Sequence, residues 1–138
     1  MKLIQISDCH LFESPDLSAY GDINPAQSLT AVLIAAREQQ PDGLLFSGDI
    51  SGDDSGASYQ LFLSLLNQWG GEIPWRVIPG NHDNNSYFEQ TLKANWLRAD
   101  TPWILKGKYI HGLDTRLEGT LGVIDEKQLA SVAANIAR

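Results

Sequence analysis

Three short apolar segments of this chain run directly into polar residues of the kinds that bind metals. These segments are residues 2–7, 44–47 and 75–78. Apolar side chains recur at helical spacing between them. The two sets are Leu29, Val32, Leu33 and Ala36, then Tyr59, Phe62, Leu63 and Leu66. Strands that alternate with helices are typical of a layered α/β fold, and we predict a mostly parallel sheet flanked by helices.

Capping and turn residues mark where these elements begin and end. Asn24-Pro25 supplies a cap residue and a proline for the first turn of the first helix, and Pro41-Asp42-Gly43 ends it. Gly70-Gly71 ends the second helix. Consecutive apolar residues at 44–46 indicate a strand that is buried on both faces.

The last third of the chain has weaker patterns. We predict a helix over 86–92 and two strands, 103–105 and 109–113, joined as a hairpin. Asp125 is the predicted cap of a last helix, with Gln128 three residues on and with Ile124 and Leu129 as a hydrophobic staple. The predicted inner face of this helix is Leu129, Val132, Ala133 and Ile136.

Length and charge limit the classes of function. With 138 residues and a net charge of −7, the chain can form one core, so we expect residues 1–138 to be a single domain. The acidity argues against binding to long nucleic acids. No apolar run reaches the roughly 18 residues that span a bilayer, and the N-terminus becomes polar too early for a signal peptide. The lone Cys9 fits a reducing compartment, so we expect a cytoplasmic protein without a membrane partner.

The polar clusters after the three apolar segments point to one metal site. Asp8 and His10 follow the first segment, Asp49 the second, and Asn81 and His82 the third. The carboxyl ends of parallel strands lie at one edge of a sheet, so these side chains should meet there. Carboxylate, imidazole and amide donors suit divalent Mn, Fe or Zn better than calcium.

Structural interpretations compete with metal binding for several of these residues. Asp8 and His10 could be a polar pair at a strand end, Asn81 a turn residue and His82 an ordinary loop histidine, but three converging loops favour ligation. Asp53 and Asp54 are better explained as the start of the second helix. Cys9 is interpreted as a small buried side chain. His111 and the tryptophans Trp69, Trp75, Trp96 and Trp103 are interpreted as packing residues.

The order of the motifs resembles a known superfamily. Asp8-x-His10, then Gly48-Asp49, then Gly80-Asn81-His82-Asp83 is similar to the calcineurin-like metallophosphoesterases. Two further stretches resemble one branch of it, the bacterial class III cyclic nucleotide phosphodiesterases. The residues that carry this likeness are Gly48-Asp49-Ile50 with Ser58-Tyr59-Gln60-Leu61-Phe62, and Leu113-Asp114-Thr115 with Gly122 and Gln128-Leu129. The likeness spans nearly the whole chain but only the N-terminal portion of the family domain, so we expect an incomplete domain that lacks the second half of the sandwich.

The resemblance implies a role for each motif residue. The implied catalytic residues are His82, which would contact the phosphate from just outside the metal shell, and Asp83, which would hold the His82 ring by a hydrogen bond. Asn81 and His82 are the implied substrate-binding residues. Asp49 would bridge two divalent ions, with Asp8 and His10 on the first ion and Asn81 on the second. The implied metal ligands are therefore Asp8, His10, Asp49 and Asn81.

The implied activity is hydrolysis of a phosphodiester by metal-activated hydroxide, with a 3',5'-cyclic nucleotide such as cAMP as the favoured substrate. The alternatives are another small phosphodiester, such as a glycerophosphodiester, or a shortened, non-catalytic binding module. The family's later histidine motifs have no counterpart after Asp114, so the first metal site should be stronger than the second. We also expect an exposed apolar face that a second copy of the chain would cover.

Overall fold

The computed structural model describes residues 1–19 and 21–136 as an α/β fold. The N-terminal part contains β1 (Leu3–Ile6), α1 (Pro25–Glu38), β2 (Gly43–Ser47), α2 (Gly56–Trp69) and β3 (Trp75–Ile78). A 3-10 turn (Asn81–Asp83) leads into α3 (Ser86–Leu92). The remaining elements are β4 (Trp103–Leu105), β5 (Lys108–Ile110) and α4 (Glu126–Ile136).

The first three strands form a parallel sheet in the order β1-β2-β3. Ile6 is in register with Phe46, which is in register with Val77. Since α1 and α2 are the crossovers between these strands, all three strands run in one direction and end at the same edge. The predicted α/β class, with a parallel sheet flanked by helices, is confirmed.

One face of the sheet carries the main core. Leu44, Phe46 and Val77 are fully buried there, together with Leu33 of α1 and Phe62 of α2. The Phe46 and Phe62 rings meet edge to face with their centroids 4.8 Å apart. This packing holds both helices on the same face of the sheet, as right-handed crossovers require.

The second face is covered by the antiparallel hairpin of β4 and β5. Leu45 and Ile78 of the sheet pack there against Trp103 and Leu105. Gly43 lies directly under the Trp103 ring, where a Cβ atom would collide with it. The expectation that β2 is buried on both faces is therefore confirmed.

The helix caps match the sequence in part. The Asn24 side chain accepts a hydrogen bond from the Gln27 N–H at 2.9 Å, and Pro25 is the first residue of α1, as predicted. Val32 was predicted on the inner face of α1 but is 43% exposed. The cap of α2 is Ser55, which accepts from the Ser58 N–H, rather than one of the two preceding aspartates.

The C-terminal elements differ most from the prediction. Strand β5 ends at Ile110, short of residue 113. The Gly112 backbone then comes so close to the Leu97 carbonyl that a Cβ would not fit. Among the described residues of α4 none is buried, and Leu129 and Ile136 of its predicted inner face are 49% and 74% exposed. The described part of the chain contains no helix long and apolar enough to cross a membrane.

Candidate metal centre

The loops after β1 and β2 have an unusual backbone that brings polar side chains together. Asp8, His10 and Asp49 have φ values of 57°, 44° and 53°, and Gly48 has 91°. Non-glycine residues rarely adopt such left-handed conformations, which cluster at functional sites. The two loops run side by side, because the His10 N–H donates to the Asp49 carbonyl at 2.9 Å. The fold thereby holds three predicted site residues next to one another.

The donor atoms of these loops surround a small space. The Nε2 atom of His10 lies 3.7 Å from Asp8 Oδ1 and 3.8 Å from Asp49 Oδ2. Ligand atoms of His10, Asp49 and His82 all lie within 4.8 Å of one another. The His10 and His82 rings meet edge to face, with centroids 5.1 Å apart. His82, expected outside the metal shell, thus lies within reach of the same space.

This set of donors fits a divalent cation. The distances from the imidazole nitrogen to the two carboxylates are too long for good hydrogen bonds. They are close to the spacing of about 3.4 Å between donors around a tetrahedral ion with bonds of about 2.1 Å. Two carboxylates that face one imidazole nitrogen also concentrate negative charge, which a cation would neutralise. The side chain of Asp8 is 65% exposed, so the site opens to solvent on that side.

Asn81 lies in a cleft beside this cluster. The cleft has a volume of about 260 Å³ and lies between the ends of β2 and β3 and the segment 113–122. Gly80 lines it next to Asn81, and a Cβ atom on Gly80 would collide with the Asp49 carboxylate. Glycine at this position therefore allows the loop after β3 to approach the loop after β2.

The carboxylate of Asp49 is fixed from two sides. Its Oδ1 accepts a hydrogen bond from the backbone N–H of His82 at 3.1 Å, and its Oδ2 faces His10. The 3-10 turn after β3 thus holds a side chain that comes from the loop after β2. Because of this bond, any displacement of the turn would also move the Asp49 carboxylate.

Asp83 does not lie where the resemblance implied. Its carboxylate is completely buried and accepts hydrogen bonds from the N–H groups of Ile50, Ser51 and Gly80 and from the Tyr59 hydroxyl. Within residues 1–19 and 21–136, no hydrogen bond joins this carboxylate to the His82 ring. Successive residues of a 3-10 turn point about 120° apart, so adjacent side chains of the turn face different directions. Asp83 instead joins the loop after β2 to the loop after β3.

Tyr59 and Asn85 complete this buried network. The Tyr59 hydroxyl donates to Asp83 at 2.8 Å and accepts from the Asn85 side chain at 3.1 Å. Asn85 also donates to the His82 carbonyl at 3.3 Å. Burial, and then the charge of Asp83, raise the pKa of Tyr59. Sequence reasoning placed Tyr59 in the core but missed its bond to Asp83, because a helical apolar pattern does not reveal what a hydroxyl contacts.

Cys9 lies between two site residues but is not part of the cluster. Its side chain is buried, in agreement with the interpretation as a small core residue. Burial, followed by the charges of Asp83 and Asp8, raises the pKa of the Cys9 thiol to about 12. The thiolate that a metal would need is therefore strongly disfavoured.

The sequence as a whole matches a family model of calcineurin-like phosphoesterases over residues 1–128. The chain belongs to this family. A probable cyclic nucleotide phosphodiesterase of Pseudoalteromonas sp. SM9913 is 39% identical over 83 residues, which cover 60% of this chain and 31% of that protein. The 3',5'-cyclic adenosine monophosphate phosphodiesterase of Vibrio vulnificus CMCP6 is 42% identical over 96 residues, covering 68% and 34%.

A third relative has a different substrate in its name. A probable glycerophosphodiester phosphodiesterase of Arcobacter nitrofigilis is 30% identical over 142 aligned positions, which cover 94% of this chain and 49% of that protein. The chain spans about a third to a half of the length of these three relatives.

Proposed function

We propose that this chain contributes the metal-binding part of a phosphodiesterase that hydrolyses a 3',5'-cyclic nucleotide such as cAMP. The observation that carries the proposal is the convergence of His10, Asp49 and His82, whose ligand atoms lie within 4.8 Å of one another. The family match and the names of two of the relatives support the type of reaction and the class of substrate.

Four residues are proposed to hold divalent cations of the Mn, Fe or Zn type. Asp8 and His10 would bind a first ion, Asp49 would share it with a second, and Asn81 would bind the second. When bound, such ions lower the pKa of water and neutralise the charge of a phosphodiester. Three of the proposed ligands would hold the first ion and two the second, so we expect the first site to bind more tightly.

The protein residues orient the reacting groups. One oxygen of Asp49 is held by the His82 N–H while the other faces His10, so the carboxylate keeps one orientation as ligands bind. We assign the His82 imidazole to the phosphate, where it would stabilise the charge of the departing oxygen or donate a proton to it. Asp83 is proposed as a positioning residue that holds the loop after β2 against the loop after β3.

Two other functions are supported by specific observations. The Arcobacter relative favours a glycerophosphodiester as substrate. A non-catalytic metal-binding module is the other alternative, since the cluster of His10, Asp49 and His82 accounts by itself for cation binding but not for turnover. Exposed apolar side chains also support an association between two copies of the chain, which light scattering would detect as a dimer mass. The side chains are Leu117, Leu121, Val123, Ile124, Leu129 and Ile136.

The decisive experiment is a calorimetric titration of the chain with Mn²⁺. We expect saturable binding. Asp49→Asn should weaken it at least tenfold, because the substitution removes the negative charge of a carboxylate that would bind the cation. Asp54→Asn is the matched control, since Asp54 is an exposed aspartate with φ of 56° in the same loop. Equal affinities of the wild type and Asp49→Asn would refute the proposed site.

A second measurement separates the candidate functions. The Mn²⁺-loaded chain is incubated with cAMP, glycerophosphocholine or bis(p-nitrophenyl) phosphate. Turnover of cAMP that is lost in His82→Ala supports the leading proposal, and preferential turnover of glycerophosphocholine supports the second. Tight metal binding without any turnover supports the non-catalytic module.

A further inference from the structure

We propose that Arg116 is a positioning residue that holds the 3-10 turn Asn81–Asp83 in the arrangement that presents Asn81 and His82 to the metal site. This inference rests on the proposed function for its link to metal binding. Arg116 lies more than thirty positions after the turn and outside the three motifs that carry the metal site. The structure nevertheless places its guanidinium against the backbone of the turn.

The contacts of Arg116 join two parts of the chain. Nη1 donates to the Asp83 backbone carbonyl at 2.9 Å, while Nε and Nη2 donate to the two Asp114 oxygens at 2.9 and 2.7 Å. The Asp83 carbonyl also accepts from the Asn85 N–H at 2.9 Å. The forked, charge-assisted pair with Asp114 fixes the guanidinium plane, so the bond from Nη1 to the turn has a defined direction.

The backbone around Arg116 is itself held in place. The Val123 N–H donates to the Thr115 carbonyl at 2.8 Å. This bond closes the loop 115–123, in which Arg116 lies. On the other side, the Gln128 amide forms two bonds of 2.8 Å with the backbone N–H and carbonyl of Asp114. Helix α4 therefore supports Asp114, Asp114 supports Arg116, and Arg116 supports the turn.

Several features favour positioning over direct binding of the phosphate. Three of the five N–H donors of Arg116 are already engaged, and Asp114 neutralises its charge. The side chain is only 18% exposed. The guanidinium also lies 6.0 Å from the ring centroids of both Phe88 and Trp96, which restrict its movement. A guanidinium with these contacts is a fixed support rather than a free anion receptor.

The turn is the right element for such a support to act on. It contains Asn81, and its His82 N–H holds the Asp49 carboxylate. Asp83 anchors the turn through its buried carboxylate, whereas Arg116 anchors it through its outward carbonyl. Without Arg116 we expect the carboxylate anchor to remain and the turn to rotate about it, which would displace the donors without unfolding the chain.

The test compares Arg116→Ala and Arg116→Lys with Arg98→Ala. Arg98 is a matched control because it also pairs with an aspartate, Asp100, and also lies over Trp96, but no hydrogen bond or ion pair joins its side chain to residues 81–83. Co²⁺ and Mn²⁺ titrations give the cation affinity, and the visible Co²⁺ spectrum reports the donor geometry. Amide hydrogen exchange of the apo chain at His82 and Asn85 reports the turn itself. All measurements are made well below the melting temperature of the least stable variant.

We expect Arg116→Ala to weaken cation binding about tenfold, alter the Co²⁺ spectrum and accelerate exchange at His82 and Asn85 at least tenfold. Arg116→Lys should recover only part of each effect, since one ammonium cannot bridge both acceptors. Arg98→Ala should match the wild type. A lower melting temperature with unchanged affinity, spectrum and exchange would overturn the proposal.

The outcomes also separate this inference from the proposed function. If the wild type binds no cation, the proposed function fails, and the exchange measurement alone then decides the role of Arg116. If the wild type binds cations and Arg116→Ala binds them equally well with unchanged exchange, only the inference fails.

Discussion

Replacing Asp83 with alanine should damage both the fold and the metal site. The carboxylate is completely buried and accepts from three backbone N–H groups and one hydroxyl. The backbone donors cannot rotate towards other acceptors. Asp83→Ala therefore leaves them without partners in the space between the loop that carries Asp49 and the turn that carries His82.

The magnitude follows from the donors that lose their acceptor. A buried donor without a partner costs about 1–3 kcal/mol. The N–H groups of Ile50, Ser51 and Gly80 would together cost about 3–5 kcal/mol if water enters the vacated space and satisfies them in part. Domains of this size are stable by about 5–15 kcal/mol, so the variant loses a large share of its folding free energy.

Urea denaturation followed by circular dichroism gives the change in the free energy of unfolding. Tyr59→Phe removes only one donor to the same carboxylate and should cost about 1 kcal/mol. Asp54→Ala, at an exposed position of the same loop, should change stability by less than about 1 kcal/mol. A loss for Asp83→Ala no larger than that for Asp54→Ala would refute the view that this carboxylate joins the loops.

Three further predictions test other contacts. With its pKa raised to about 12, the Cys9 thiol should react with Ellman's reagent at pH 8 at least a hundredfold more slowly in the folded chain than in urea, and equal rates would contradict its burial. Burial opposes ionisation of Asp114, but the Arg116 hydrogen bonds and charge outweigh it and lower the pKa. The folded state therefore gains stability from this carboxylate above its unfolded pKa of about 3.9 and loses it as the pH falls below about 4. Asp114→Asn should flatten the acid limb of a plot of unfolding free energy against pH. An unchanged limb would refute the stabilising ion pair between Asp114 and Arg116. Gly80→Ala should weaken Mn²⁺ binding at least tenfold, because the added Cβ would displace the Asp49 carboxylate, whereas Gly56→Ala should not. Calorimetry that finds equal affinities for the two variants would contradict the close approach of Gly80 to Asp49.

The parallel sheet and its first two helices were predictable because their signals are local. The Asn24-Pro25 cap and the alternation of strands with helices each depend on a few adjacent residues. The errors in this part are of the same local kind. Ser55 caps α2 because its hydroxyl, rather than a neighbouring carboxylate, reaches the Ser58 N–H. Val32 faces outward because the buried face of α1 includes Leu29, Leu33 and Ala36 but does not extend to position 32, although the residue there is apolar.

The C-terminal third was less predictable, because its structure depends on contacts far apart in the sequence. The hairpin covers the second face of the sheet through Trp103 and Leu105, an arrangement that the pattern of residues 103–110 does not reveal. The apolar residues of α4 predicted an inner face, yet the polar Gln128 is the residue that ties this helix to Asp114. An amphipathic pattern indicates that a surface is suited to burial, but not what covers it.

The position of the site was predictable, whereas the way it is held together was not. Motifs after three parallel strands place Asp8, His10, Asp49 and His82 at one sheet edge by topology alone. The left-handed backbone at Asp8, His10 and Asp49 and the orientation of Asp83 arise from packing between the loops. Such features depend on which backbone groups need partners once the loops meet, and residue order does not specify this.

Two carboxylates near one imidazole would repel each other and separate if the loops were free to move. Here the separation is opposed by bonds that do not involve a cation: the Asp8 N–H donates to the Gly48 carbonyl at 3.1 Å, and the His10 N–H donates to the Asp49 carbonyl at 2.9 Å. The Asp83 carboxylate and the His82 N–H in turn fix the loop that carries Asp49 against the turn after β3. A site arranged in this way requires little reorganisation when a cation arrives, since the folding free energy already offsets the repulsion. It follows that variants such as Asp83→Ala should lower cation affinity even though they leave every proposed ligand in place, and that Asp49→Asn, which relieves the repulsion, should leave the apo chain as stable as the wild type or more so while it weakens binding.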